Sequence, residues 1–224
     1  MIKAFIFDIG GVLVKNDEAI MDAIAIALQE NGIKLKNREE IFHVFGRSNY
    51  INVKTAVEIS YSGKNTREKI DSCFESFENI FPKKVLGRFE LMPHVLETLK
   101  KLKNTGVRLA VFTGLNKNEA KHSLKYFGIM DFFEFVITID NVKKPRPDPE
   151  AILKAIKKMD VKKDECIYVG DTIADIQMAK NSGIRIVCVK TGVQYNKILE
   201  KENPDYFVED LSEMLMVLSD EIEK

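Results

Sequence analysis

The 224-residue chain has no tryptophan, three cysteines, three histidines and six prolines, and no excess charge of either sign, since 34 Lys plus Arg balance 34 Asp plus Glu. Each shortage excludes something. A neutral chain exerts no global pull on nucleic acid or anionic membranes, so neither is expected as a partner. Cys73, Cys166 and Cys188 are far apart and form no CxxC pair. An odd, scattered set suits neither a disulfide framework nor a zinc site, and it points to a cytoplasmic protein. Cys166 and Cys188 lie in apolar runs and read as buried strand thiols. His43, His94 and His122 fall in separate predicted helices, without metal-ligand spacing. No run of about 18 apolar residues exists, so no helix is expected to span a bilayer. The opening MIKAFIFDIGG carries Asp8 inside its apolar run and lacks a small-residue cleavage site. It reads as a strand and not as a signal peptide. Repeats and low-complexity stretches are also missing.

What is present suits an ordinary globular protein, with 45% apolar and 30% charged residues. The length fits one large domain, or one domain with a smaller insert. Ile2 to Ile9 reads as a buried strand closed by a glycine turn. From about Asp17 to Phe81 the apolar period becomes helical: Ile20, Ala23, Ile24, Ala27 and Leu28, then Ile41, Val44 and Phe45, then Ile70, Cys73, Phe74 and Phe77. The pattern predicts about four helices and no strand there.

Beyond Leu91 the pattern alternates. Helices are expected at Pro93–Lys103, Asn118–Phe127, Asp148–Met159, Ile173–Asn181 (stopped by Gly183) and from about Leu211. Strands are expected at Val107–Thr113, Phe135–Thr138, Cys166–Gly170 and Arg185–Val189, with a short edge strand at Tyr206–Val208. Alternation of this kind implies a Rossmann-like, doubly wound parallel α/β sheet. The core is then residues 1–15 and 84–224, and residues 16–83 are an inserted α-helical bundle, a cap.

In an open parallel sheet, ligands bind beyond the carboxyl ends of the strands. The first strand delivers Asp8 there, the second Thr113 and Gly114, the third runs out towards Lys143 and Lys144, and the fourth delivers Asp171, with Asp175 one helical turn on. Each residue also has a purely structural reading. Asp8 can close a strand, Thr113 can cap a helix, Lys144 can be a solvated lysine beside a proline turn, and Asp171 and Asp175 can be an acidic helix start. Their joint arrangement is what points to chemistry.

Four segments carry a family resemblance: Phe7-Asp8-Ile9-Gly10-Gly11-Val12-Leu13-Val14, Val111-Phe112-Thr113-Gly114, Lys144-Pro145-Arg146-Pro147-Asp148-Pro149 and Val169-Gly170-Asp171-Thr172-Ile173-Ala174-Asp175. In this order they resemble the haloacid dehalogenase superfamily, in the subgroup with an α-helical cap after the first strand, the phosphoglycolate phosphatase-like and β-phosphoglucomutase-like group. The resemblance implies a phosphatase acting on a small phosphorylated metabolite. It makes Asp8 the nucleophile that forms an aspartyl-phosphate, and it makes Mg²⁺ the cofactor, held by Asp8, the carbonyl of Gly10, Asp171 and Asp175. Thr113 and the Gly114 N–H are then expected to hold phosphate oxygens. Lys144 is expected to balance charge on Asp8 and on the transferring group. Phe45-Gly46-Arg47-Ser48 resembles the loop with which related caps read substrate, which makes Arg47 a candidate substrate contact.

One position departs from the family pattern. The usual second aspartate, the general acid/base, is here Gly10. Glycine keeps the carbonyl and loses the acid. General acid–base catalysis contributes about 10²- to 10⁴-fold, so the expectation is a slower enzyme, or one restricted to good leaving groups such as acyl, aryl or anomeric phosphates. Asp17 is a candidate replacement acid, with a helix cap as its structural reading. Three other readings remain: a non-catalytic phosphometabolite or partner binder, a dehalogenase, which needs no divalent metal, and a phosphonate hydrolase, which needs a cap lysine that the Gly46 loop does not supply before Lys54.

Overall fold

The computed structural model describes residues 1–84 and 86–222. The chain runs β1 (Ala4–Phe7), β2 (Val14–Lys15), α1 (Asp17–Glu30), α2 (Arg38–Phe42), α3 (Asn49–Ser60), α4 (Thr66–Lys84) and β3 (Glu90–Leu91). It continues α5 (Val95–Asn104), β4 (Arg108–Phe112), α6 (Lys117–Tyr126), β5 (Phe135–Ile137), α7 (Glu150–Met159), β6 (Cys166–Gly170) and α8 (Ile173–Ser182). It closes with β7 (Arg185–Val189), α9 (Asn196–Lys201), β8 (Tyr206–Val208), α10 (Leu211–Val217) and α11 (Ser219–Ile222). Six strands make one sheet in the order β5-β4-β1-β6-β7-β8, and every pairing is parallel. The chain winds outward through β4 and β5, then crosses β1 to begin β6. The switch point therefore lies beside β1, where such sheets bind ligands.

Both faces of the sheet are covered, and the two-residue period of the strands sorts side chains between them. Phe5, Phe7, Leu109, Val111, Ile167 and Val169 join the apolar layer that includes residues of the helical insert. Ala4, Ile6, Ala110, Phe112, Cys166, Tyr168 and Cys188 pack on the opposite side, with residues of α7 and α8. All three cysteines are free and buried. Burial pushes the Cys166 thiol up to about 12, so it stays protonated.

The insert is α1 to α4, built on the helical spacing of its apolar residues: Ile20, Ala23, Ile24, Ala27 and Leu28 are all buried. A line of rings, Phe74, Phe77, Phe81 and Phe89, continues its core. The chain leaves and re-enters the α/β unit through β2 and β3, which pair antiparallel at Val14 with Leu91 and Lys15 with Glu90. This two-residue ribbon is too short to leave a periodic trace in the sequence. Helix ends match their local signals. Ser48 caps α3, Asn116 and Glu119 form a capping box on α6, and Gly183 ends α8 in the left-handed conformation at φ +73°.

The cap is tied to the sheet unit by polar bridges. Asn49 Nδ2 at the start of α3 donates to both carboxylate oxygens of Glu119, at 3.3 and 3.4 Å. Gln194 Nε2 donates to the carbonyls of Phe42 and His43, while its Oε1 accepts from the Ile173 N–H. Burial raises the Glu119 carboxyl to about 7, against the opposing pull of its Asn116 and Asn49 donors. Between about pH 4.5 and 7, Glu119 therefore holds a proton in the folded chain that it has lost in the unfolded one. Stability falls as pH rises through that window, by at most about 3 kcal/mol from this group. Glu119→Gln keeps a capping-box side chain and removes the buried charge. Urea unfolding from about pH 5 to about pH 8 should show a shallower decline for the variant and a higher midpoint at the alkaline end. Equal slopes would show that Glu119 is not the titrating group.

Candidate active site

Three neighbouring strands, β4, β1 and β6, each place the first residue past their carboxyl end at one point: Thr113, Asp8 and Asp171. All three are buried, at 2%, 4% and 3% exposed. They line one cavity of about 50 Å³ with Gly10, Gly114 and Arg146 from the sheet unit and Arg47, Ser48, Asn49 and Asn52 from the cap. A water needs roughly 10–15 Å³ measured this way, so the space suits a group of phosphate size.

The loops close tightly around it. Gly11 lies at φ +69°, and a Cβ there would overlap the Asp171 carboxylate. A Cβ on Gly114 would overlap the Arg47 carbonyl, and one on Gly46 would overlap the Thr172 side chain. Glycine at these positions is what lets the cap loop descend onto the sheet. At Gly10 an added Cβ would meet Asn16 Oδ1 at 3.0 Å. The space beside residue 10 is thus bounded by an amide.

Lys144, expected here from the sequence, is elsewhere. Its side chain is 74% exposed and pairs with Asp148 at 3.6 Å. The buried cation in the cavity is Arg146, 3% exposed. Its Nη1 donates to Asp8 Oδ2 at 2.9 Å and to the Gly46 carbonyl at 2.6 Å. Its Nη2 donates to the Phe112 carbonyl and the Tyr168 hydroxyl, both at 3.0 Å. Its Nε lies 3.2 Å from Asp175 Oδ1. The segment holds two cation–proline steps, Lys144-Pro145 and Arg146-Pro147, and the second sits nearer α7, which starts at Glu150. Residue type does not distinguish the two steps; distance back from the helix start does. Tyr168 was missed as well, because a tyrosine in a buried strand looks like core. Its hydroxyl donates to Asp175 Oδ1 at 2.9 Å.

Burial lifts Asp8 to about 6, and Arg146 partly offsets this. Asp171 stands well above the usual carboxylate range, first through burial and then through Asp175, Asp8 and Asp17. Burial disfavours the Arg146 charge, but Asp175 and Asp8 outweigh it and hold the guanidinium well above its ordinary value. Asp17, at the first turn of α1, lines the same cavity, and burial raises it to about 6.

One guanidinium cannot balance this many carboxylates, and the surplus fits a divalent cation. Oxygens of Asp8, Asp171 and Asp175 lie within 4.8 Å of one another. Asp171 Oδ1 is buried and has no hydrogen-bond partner among the described residues. Asp175 differs. Its Oδ2 accepts from the Thr172 hydroxyl and from the N–H groups of Asp171 and Thr172, and its Oδ1 faces Tyr168 and Arg146. Those contacts leave Asp175 little capacity to coordinate an ion directly, so it is better placed to organise the loop. Arg47 lines the mouth but is exposed.

The model of the haloacid dehalogenase-like hydrolase family matches residues 5–189. Among curated relatives, pyrophosphatase PpaX of Bacillus velezensis is 29% identical over 219 residues, covering 96% of each chain. The Bacillus mycoides protein of the same name is 28% identical over 218 residues, covering 97% of each. The crystal structure of a predicted phosphoglycolate phosphatase from Haemophilus somnus superposes with a TM-score of 0.89 at 23% identity, over 96% of this chain and 97% of that one. At that identity the likeness establishes the fold.

The carboxylate crowding has a measurable consequence. Asp171→Asn removes one of several mutually repelling buried acids, so without divalent metal the variant should melt higher than the parent chain at neutral pH. A lower melting temperature by calorimetry would show that Asp171 is already neutralised within the protein.

Proposed function

The chain belongs to the haloacid dehalogenase-like hydrolases, and we propose that it is a Mg²⁺-dependent phosphatase of small phosphorylated metabolites that works through Asp8. The observation that supports this most is the convergence of Asp8, Thr113, Gly114, Arg146 and Asp171 on one phosphate-sized cavity. Asp8 Oδ1 accepts from the Ile9 N–H at 2.7 Å and Oδ2 from Arg146, which fixes the carboxylate. In the first step a carboxylate oxygen of Asp8 bonds to phosphorus and the bond from phosphorus to the leaving oxygen breaks. In the second, water attacks the aspartyl-phosphate, releasing orthophosphate and restoring Asp8. Thr113, Gly114 and Arg146, which line the cavity, would hold the phosphoryl oxygens, with Arg146 rather than Lys144 balancing their charge. Asp8, Asp171 and the Gly10 carbonyl would hold the Mg²⁺, with Asp175 orienting them. The ion would supply the positive charge that lets a carboxylate approach a phosphate dianion.

With no acid at residue 10, the leaving group departs largely unaided, which favours activated esters and anhydrides. The pyrophosphatase name of the Bacillus relatives is compatible with this, since departing phosphate needs little proton help. Asp17 supports a second reading. It lies in the cavity and is raised to about 6, so below that pH it can hold the proton an alkoxide needs.

Hydrolysis of p-nitrophenyl phosphate with Mg²⁺ tests the proposal. Asp8→Asn should abolish it, and Arg146→Ala should lower kcat by about 10²- to 10³-fold. Lys144→Ala should leave it unchanged, and chelation of the metal should stop it. If no activated phosphate is turned over while Mg²⁺ still binds, the pocket belongs to a non-catalytic phosphometabolite binder. A series of esters then separates the two acid readings. Without an acid, rates fall steeply with leaving-group pKa. If Asp17 donates the proton, alkyl phosphate turnover declines above about pH 6, and Asp17→Asn removes that limb and steepens the leaving-group dependence.

A further inference from the structure

The cap side of the cavity carries an unanswered polar group. Asn52 on α3 is 4% exposed and lines the cavity, and its Oδ1 has no hydrogen-bond partner among the described residues. The rest of the buried face of α3 includes Val53, Ala56 and Val57. An apolar residue at 52 would avoid the cost of an unmatched amide, about 1–3 kcal/mol. The helix is also held in register there. Asn49, three residues earlier and on the same face, is anchored to Glu119. Asn52 is therefore a fixed, buried acceptor beside the site where a substrate's non-phosphoryl part must lie.

The neighbouring groups say what that part can be. Asp17 and Asn16 line the same side, with Ile20 and Phe45 as its apolar members. Among the described residues, the only guanidinium the cap contributes to the cavity is Arg47, at the exposed mouth. A second phosphate or a carboxylate could accept from the Asn16 and Asn52 amide N–H groups, but it would face the Asp17 carboxylate and bring no proton to Asn52 Oδ1. A hydroxyl donates to Asn52 and can donate to or accept from Asp17. We propose that Asn52 is a specificity residue, and that the leaving group it reads is uncharged and bears a hydrogen-bond donor, a hydroxylated organic phosphate rather than pyrophosphate or a carboxylated ester. This deepens the phosphatase reading and rests on it.

Three aryl phosphates of similar leaving ability test the point: 4-(hydroxymethyl)phenyl, 4-methylphenyl and 4-carboxyphenyl phosphate. The parent chain should prefer the hydroxymethyl ester over the methyl one by about 3- to 10-fold in kcat/KM, the worth of one neutral hydrogen bond. The carboxylate should rank last. Asn52→Leu should collapse the first preference towards unity. A merely structural Asn52 would scale all three substrates alike, and that result, or a parent chain favouring the carboxylate, overturns the inference. Calorimetric binding of the same three to Asp8→Asn, with and without Asn52→Leu, gives the ranking without turnover. Lack of hydrolysis by the parent chain then counts against the phosphatase reading, whereas an unchanged binding rank counts against Asn52.

Discussion

The site is organised by one buried guanidinium. Arg146 sits among Asp8, Asp175, Tyr168 and two backbone carbonyls with almost no exposure to solvent. A buried charge is tolerable only when it is paired and hydrogen-bonded, and here groups from β4, β6, the end of β1 and the cap loop accept from both terminal nitrogens, while Asp175 of α8 faces Nε at 3.2 Å as an ion pair. The arginine thereby links events that are separate in the sequence. The hand that steadies the nucleophile also holds the Gly46 carbonyl of the cap. Moving the Gly46 loop away would free a donor of Arg146 and alter the field at Asp8, so cap position and nucleophile position are coupled through one side chain. A lysine, with a compact ammonium and three donors, could not make the same set of contacts at once.

Around that cation the acids divide the work by how many donors each receives. Asp175 is surrounded by hydroxyl and N–H donors and serves as scaffold, closing the capping box of α8 and fixing the loop after β6. Asp171 has a buried oxygen with no hydrogen-bond partner among the described residues, which is a poor arrangement for a protein alone and a good one for a cation. Burial raises Asp8 and Asp171 above their ordinary values. The chain thus holds acids that a divalent ion would both stabilise and keep ionised. Structural and reactive carboxylates differ here in their donors, although both come from the same short motif.

The sheet was legible because its signals are redundant. Each strand is a compact apolar run, each crossover has helical spacing, and the alternation leaves few topologies. Asp8, Thr113 and Asp171 were legible because a strand end is a definite place. The ribbon β2/β3 was not, since two residues carry no period. Lys144 illustrates a different limit. In a stretch with two cation–proline steps, residue type does not say which cation turns inward, and a shift of two residues exchanges a solvated lysine for a buried arginine. Tyr168 and Asn52 were invisible for a third reason. Their importance lies in the polar partners found or not found after folding, and no pattern in the chain encodes that.

The unusual positions collect on one side of the reaction. In the proposed reaction, Asp8, the Thr113 hydroxyl and Asp171 lie towards the phosphoryl group. Towards the proposed leaving group, residue 10 is a glycine bounded by Asn16, Asp17 lines the cavity, and Asn52 has an acceptor without a partner among the described residues. Phosphoryl transfer is similar whatever the ester, so its machinery has little room to vary. The departing group differs in charge, shape and proton demand from one substrate to the next. A change of substrate can therefore be accommodated by altering the cap side and residue 10 while Asp8 and its counter-ions stay fixed. Under the proposed function the distribution of residues in this chain follows that division: the sheet would set its chemistry, and the place where the cap meets residue 10 would set its choice of substrate.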